Sequence, residues 1–172
     1  PDNFPNSDFI KSTFSGDGLQ TGHNISLSGG NEKTQYLVSL GYLYQDGIVP
    51  KNYYDRYTLR LNLTNHIARN LVLTTHLSGI RTMVHEPAPP GNTNRTDMAG
   101  IVSQSVRMPA VYAGKLSNGF YGVGPESSGT PVSDLADASF YQSRESDITA
   151  NLRLDWNVIS DLKLSLITAY DE

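Results

Sequence analysis

Residues 56–64 read RYTLRLNLT and alternate between two kinds of side chain. The odd positions hold Tyr57 and three leucines, whereas the even positions hold Arg56, Arg60, Asn62 and two threonines. Successive side chains of a β-strand point to opposite faces, so this period of two predicts a strand with one apolar and one polar face. A helix would instead repeat its apolar positions every three or four residues.

The same alternation recurs along much of the chain. It is present in residues 23–28, 36–44, 71–78, 148–157 and 162–166. Short turns separate several of these segments, which favours antiparallel pairing of sequential strands. The sequence therefore predicts an all-β fold, an antiparallel meander of about seven strands.

Strand length and the positions of aromatic residues indicate what each face contacts. The longer segments have the length of about 9–11 residues that a tilted strand needs to cross a bilayer. Rings at strand ends on the apolar face are typical of membrane-interface girdles. These rings are Tyr36, Tyr44, Tyr57, Trp156 and Tyr170. The opposite face would line a polar lumen. Its candidate residues are Arg56, Arg60, Asn62, His76, Arg153 and Asp155. The alternative is a secreted β-sandwich, a carbohydrate-binding or adhesion module with one wet face.

The connections between these segments differ greatly in length. Those near Asn31, Arg69 and Ser160 are short, whereas the connections 46–52 and 83–145 are long. Outer-membrane barrels have short periplasmic turns and long extracellular loops, so the length asymmetry favours a barrel. We therefore expect a loop over 1–21, strands over 22–82, one long surface loop over 83–145 and a strand pair over 146–172.

Composition and motifs argue against several other classes of function. The chain of 172 residues has no cysteine and a formal net charge of −4, so neither a thiolate metal site nor a nucleic-acid partner is expected. No run reaches the roughly 18 apolar residues of a transmembrane helix. His85-Glu86 precedes a proline-rich stretch, which excludes the zinc-protease helix HExxH. We expect no catalytic residue, no metal and no cofactor.

Several separated motifs occur in an order typical of a known family. They are ISLSGGN (25–31), GYLYQDGIVP (41–50), RYTLRLN (56–62), VRMPAVY (106–112), NGFYG (118–122) and NVISDLKL (157–164). In this order they resemble the SusC/RagA family of TonB-linked outer-membrane proteins, in the barrel region that follows the plug domain.

The resemblance implies a large barrel in the bacterial outer membrane, with an internal plug, that imports nutrients with energy from the TonB system. It also implies a SusD-like surface lipoprotein as partner and an oligosaccharide or peptide as substrate. No plug, TonB-binding segment or further barrel strand is recognised in the sequence. We therefore expect a fragment of such a transporter, with TonB contacts in N-terminal regions outside it and open strand edges within it.

The long loop is the candidate functional region, because structureless loops of this length are usually functional. Apolar residues between Met98 and Val106 have helical spacing, which predicts a helix over 96–107 with a cap at Thr96. We expect this helix to pack the loop on itself rather than to contact a ligand. Farther along, rings and an amide suit contact with a saccharide or peptide, although they could equally anchor the loop or contact the partner lipoprotein. These candidate substrate-binding residues are Tyr112, Asn118, Phe120 and Tyr121.

Overall fold

The computed structural model describes Asn3, residues 5–88 and residues 98–172, and in this part of the chain six strands form one open sheet. The strands follow one another across the sheet in chain order, and neighbours are antiparallel. They are β1 (Gln20–Gly30), β2 (Thr34–Asp46), β3 (Tyr53–Ala68), β4 (Leu71–Ala88), β5 (Ser139–Ile159) and β6 (Leu162–Asp171). The predicted all-β antiparallel meander is confirmed, with six strands in the described residues.

In the described residues, three short helices and one 3-10 turn lie outside the strands. They are α1 (Phe9–Thr13), α2 (Met98–Arg107), α3 (Pro131–Ala136) and the 3-10 turn Pro125–Ser127. The helix predicted for the long loop is confirmed as α2, and its predicted cap at Thr96 lies outside the described residues. Ile101 of α2 is 1% exposed whereas Val106 is 65% exposed, so one face of the helix packs inward and the other faces solvent.

β4 and β5 are longer than the alternating segments that predicted them. β4 continues to Ala88 and β5 begins at Ser139, so strand residues occupy both ends of the predicted loop at 83–145. The sequence at these ends reads MVHEPA (83–88) and SFYQSRESD (139–147), which is largely polar or contains proline and shows no sustained period of two. α1 and the start of β1 likewise occupy part of the segment 1–21, which the sequence predicted as loop.

The turn between β1 and β2 is fixed by one asparagine. The side-chain oxygen of Asn31 accepts hydrogen bonds from the backbone N–H groups of Lys33 and Thr34 at 2.8 and 2.9 Å. The N–H of Asn31 donates to the carbonyl oxygen of Thr34 at 2.7 Å. An asparagine that replaces backbone partners in this way holds a tight turn and thereby sets the register of the two strands.

The register of β5 and β6 keeps like residues together. Trp156 pairs with Leu164 and Leu154 with Leu166, whereas Asp155 pairs with Ser165. Because neighbouring residues of a strand point to opposite faces, the apolar pairs lie on one face and the polar pair on the other.

The chain divides into two compact units. The sheet unit comprises Thr21–Tyr44, Asp55–Met83 and Arg144–Glu172, and the loop unit comprises Pro1–Gln20, Gln45–Tyr54 and Val84–Ser143. The loop unit has an apolar core of its own, in which Val49, Ile101 and Leu135 are buried. Complete burial of side chains of this size contributes about 1.5–3 kcal/mol each, so the long connection has a packed structure.

Side-chain caps begin two helices of the loop unit. Asp8 accepts a hydrogen bond from the backbone N–H of Lys11 at 2.9 Å, which caps α1. At α3 the Thr130 hydroxyl accepts from the N–H of Ser133 at 3.3 Å, and the Ser133 hydroxyl accepts from the N–H of Thr130 at 2.8 Å. This reciprocal capping box satisfies two N–H groups that a short helix would otherwise leave unpaired.

Candidate functional site

One face of the sheet unit, here called the polar face, is held by side-chain contacts between neighbouring strands. Asn62 Oδ1 lies 2.8 Å from His76 Nδ1 between β3 and β4, and Ser26 Oγ lies 2.8 Å from Ser39 Oγ between β1 and β2. Alternate residues of a strand share a face, so Arg56 and Arg60 lie on the same side of β3 as Asn62. The structure therefore brings the predicted polar residues of β3 and β4 onto one face.

The other two predicted polar residues belong to a charged cluster on β5 and β6. Asp155 lies 3.0 Å from Arg153 Nε and 3.4 Å from Lys163 Nζ, so two cations flank one carboxylate. By contrast, Arg56 and Arg60 form no ion pair with any residue that the structure describes. β3 therefore presents two positive charges that have no ion-pair partner in the described part of the chain.

Aromatic rings contact each other on the opposite side of the sheet unit, here called the apolar face. Tyr42 stacks on His23 with ring centroids 6.5 Å apart and contacts Tyr57 at 5.0 Å. The Tyr42 hydroxyl donates a hydrogen bond of 2.8 Å to the carboxylate of Asp55. This bond gives the buried carboxylate of Asp55 a hydrogen-bond partner.

Large apolar side chains are exposed along the sheet unit. Four of the five predicted interface rings are exposed, namely Tyr36, Tyr57, Trp156 and Tyr170, and Tyr44 is half-buried. Exposed aliphatic residues accompany them, including Ile25, Leu27, Leu40, Leu59, Ile148, Leu152, Leu164 and Leu166. An extended apolar surface of this kind usually marks contact with a membrane or another protein.

Three of the four candidate substrate residues lie in one hairpin of the loop unit. Lys115 pairs with Tyr121, and the ammonium group of Lys115 lies 6.0 Å from the centre of the Tyr121 ring. Asn118 Oδ1 accepts a hydrogen bond of 3.0 Å from the N–H of Phe120, so the amide oxygen supports the turn. The ring of Phe120 is 71% exposed and is therefore more accessible than that of Tyr121, which is 37% exposed.

The fourth candidate, Tyr112, precedes the hairpin. Its N–H donates to the carbonyl oxygen of Pro109 at 3.2 Å, and its side chain is half-buried. Tyr112 thus lies in a turn of its own after α2.

Sequence reasoning missed an aromatic stack in the loop unit. The His85 ring lies between those of Tyr53 and Phe140, with centroids 4.5 and 4.8 Å away. Its Nδ1 is buried and has no hydrogen-bond partner among the described residues. The three residues come from β3, β4 and β5, so only the pairing of the strands brings them together. No local sequence motif predicts this contact.

Two further features concern metal binding and membrane-spanning helices. Within residues 5–88 and 98–172, no group of three or more His, Asp or Glu side chains is arranged to hold a metal ion. In the same part of the chain, no helix combines the length and the apolar character needed to cross a membrane.

The sheet defines a class of architecture. An open antiparallel meander with one apolar and one polar face is consistent with a segment of a β-barrel wall. No protein-family model and no curated protein matches the chain.

Two of the solved structures that resemble the chain are of a peptide transporter. One is a chain of the RagAB peptide transporter, with a TM-score of 0.72 and 22% identity over 97% of this chain and 19% of that one. Another, the RagAB peptide importer in its closed-closed state, gives a TM-score of 0.72 and 22% identity over 98% and 19%. This chain spans about a fifth of the length of those chains, which is 19% in both. At this identity the likeness establishes the fold.

Proposed function

We propose that this chain is part of the wall of an outer-membrane, TonB-dependent active transporter that imports glycan- or peptide-type nutrients. The observation that carries the proposal is one open sheet with an exposed apolar face and a charged face, folded like chains of a peptide transporter. In a barrel wall the first face contacts lipid and the second lines the lumen. No other class of membrane-spanning structure uses strands in this way, because each backbone group in lipid needs a partner within the protein.

In this proposal the two faces of the sheet unit have different surroundings. The exposed rings of Tyr57 and Trp156 lie at the lipid interface, since a ring with one polar end suits the boundary between acyl chains and water. The polar face, with Arg56, Arg60 and the Asn62–His76 contact, lines the route of the substrate.

The loop unit would lie outside the membrane in this arrangement. The exposed ring of Phe120, with Tyr112, Asn118 and Tyr121 nearby in sequence, would provide stacking and amide contacts for a saccharide or peptide. The same unit would contact a SusD-like surface lipoprotein. Coupling to TonB would use regions outside this chain.

Cell fractionation of the full-length protein tests the proposal. We expect it to separate with the outer membrane and to require detergent for extraction, because the apolar face would otherwise contact water. Uptake of a labelled oligopeptide and of a labelled oligosaccharide by cells with and without the gene would then identify the type of nutrient. Recovery as a monodisperse periplasmic protein without detergent would contradict the transporter and favour the secreted sandwich module.

A further inference from the structure

The polar face has a depression between β1, β2 and β3, with a volume of about 290 Å³. Polar groups from two strands border it: Asn24 of β1, and Arg56 and Thr58 of β3. Leu43 of β2 forms an apolar side of it. The depression lies entirely within the sheet unit.

Two glycines on adjacent strands make this space. Gly22 of β1 and Gly41 of β2 both border the depression and place no side chain in it. A Cβ atom at Gly41 would lie 2.7 Å from Asn24 Oδ1 and would collide with Thr58 Oγ1. The amide and the hydroxyl therefore converge above bare backbone, and only glycine permits that approach.

Three polar side chains stand around this floor. The side chains of Asn24, Arg56 and Thr58 make no hydrogen bond or ion pair with any residue in the described part of the chain. Elsewhere on the same face polar side chains contact each other, as Asn62 and His76 do. Here, a planar cation, an amide and an O–H donor border one space, and the amide of Asn24 directs its Oδ1 over Gly41.

Such a set of donors matches a carboxylate. A guanidinium group presents two parallel N–H donors that fit the two oxygens of a carboxylate, and hydrogen bonds of this kind are stronger than neutral ones. The hydroxyl of Thr58 adds a donor, and Asn24 adds another when its amide turns the N–H₂ group, rather than Oδ1, towards the ligand, while Leu43 suits an apolar group next to the carboxylate.

We propose that Asn24, Arg56 and Thr58, above Gly41, form a carboxylate-binding subsite. The inference rests on the proposed function for its ligand, since a substrate that passes along the polar face would present the carboxylate. Two sources share this chemistry, the C-terminus of a peptide and the uronate group of an acidic glycan. Arg56 thereby acts as an anchor for substrates, in addition to giving the face its charge.

Binding to the full-length protein in detergent micelles tests the subsite. The probes are N-acetyl-trialanine with a free C-terminal carboxylate, the same peptide as its carboxamide, and methyl glucuronide, all measured by calorimetry. We expect a free acid to bind at least tenfold more tightly than the carboxamide, and the stronger of the two acids identifies the source. Arg56→Gln should abolish this preference, and Thr58→Val, which keeps the shape of the side chain, should weaken it.

Arg60→Gln is the matched control, because Arg60 lies on the same face of β3 but does not border the depression. Arg60→Gln removes the same charge as Arg56→Gln and should keep the preference for the free acid over the carboxamide. Equal binding of acid and carboxamide by the unmodified protein would overturn the subsite, as would equal losses in Arg56→Gln and Arg60→Gln. Cell fractionation is a separate measurement. A protein in the outer membrane that binds the free acid no better than the carboxamide would contradict the subsite but not the transporter. Acid preference in a soluble protein contradicts the transporter alone.

Discussion

The ammonium group of Lys51 donates a hydrogen bond of 2.7 Å to the carbonyl oxygen of Leu135, a residue 84 positions farther along the chain. It also donates to the carbonyl oxygen of Ala136 at 2.9 Å. Both carbonyls belong to the last turn of α3, where helix carbonyls lack partners within the helix and carry partial negative charge. Within the loop unit, Lys51 therefore fastens the connection after β2 to the long connection after β4.

Removal of this ammonium group should loosen the end of α3. We expect Lys51→Met, which keeps most of the aliphatic side chain, to lower the stability of the loop unit by about 1–2 kcal/mol, because two charged hydrogen bonds are lost. Hydrogen exchange of the α3 amides in the full-length protein measures the change. Lys33→Met is the control, since it removes an exposed lysine from the sheet unit. Equal protection of α3 in both variants would contradict the role of Lys51.

Asp134 should make the loop unit sensitive to pH. Partial burial raises the pKa of its carboxyl above the ordinary value of 3.8, although hydrogen bonds with Gln104 and Ser133 favour the charged form. A carboxyl group whose pKa is higher in the folded state than in the unfolded state stabilises the fold fully only below its unfolded-state pKa. This contribution is lost as pH rises through its folded-state pKa. Asp134→Asn should therefore gain stability relative to the unmodified protein as pH increases from 3.8 towards neutrality.

Hydrogen exchange of α3 measures this effect. At each pH the protection in Asp134→Asn is compared with that in the unmodified protein, because intrinsic exchange rates cancel in the difference. Asp17→Asn removes one negative charge from an exposed position in the same unit and serves as the reference. A gap between Asp134→Asn and the unmodified protein that stays constant from acidic to neutral pH would contradict the prediction.

The sheet could be predicted from the sequence because its signal is local. In residues 56–64 the period of two is complete, and β3 includes all of them. The far end of β4 and the start of β5 could not be predicted, because their largely polar sequences show no period of two and the pairing with a neighbouring strand, rather than the pattern, extends the strand.

The loop unit could be predicted only in part. The spacing in α2 and the TPVS sequence at 130–133, which forms the capping box, are local signals. The core could not be foreseen, since Val49, Ile101 and Leu135 come from three separate segments. For the candidate site, the charged residues of β3 were predicted, but the depression that Gly41 borders depends on the register of three strands.

Leu61 and Asn62 are adjacent residues of β3 that point to opposite faces. If the apolar face contacts lipid, Leu61→Arg should lower stability by about 2–4 kcal/mol, the cost of an arginine near the bilayer midplane. Asn62→Arg places the same charge on the polar face and should cost about 1 kcal/mol, for the lost contact with His76. Reversible unfolding of the full-length protein in lipid vesicles measures both. A larger loss for Asn62→Arg would reverse the assignment of the faces.

If the sheet is part of a barrel wall, the two kinds of connection predict its orientation. The short turns near Asn31, Arg69 and Ser160 should be periplasmic, and the connections near Pro50 and Phe120 extracellular. The chain has no cysteine, so single replacements can be labelled without background. A membrane-impermeant maleimide should label Asn118→Cys on intact cells, but Ser160→Cys only after the outer membrane is permeabilised. The opposite labelling pattern would mean that the short turns are extracellular and the long connections periplasmic.

The 172-residue chain by itself should associate in water rather than remain a monomer. Every residue of β6 is exposed, and β1 and β6 are the two edges of the described sheet, so both present backbone N–H and C=O groups to other chains. The exposed apolar face adds a second driving force, because Leu59 and Trp156 have no covering layer in this part of the structure. Sedimentation of the isolated chain without detergent should show large species, and a detergent that covers the apolar face should reduce their size. A compact monomer with a cooperative thermal transition in plain buffer would contradict this expectation, since it would require the apolar side chains to pack on one another as in a sandwich.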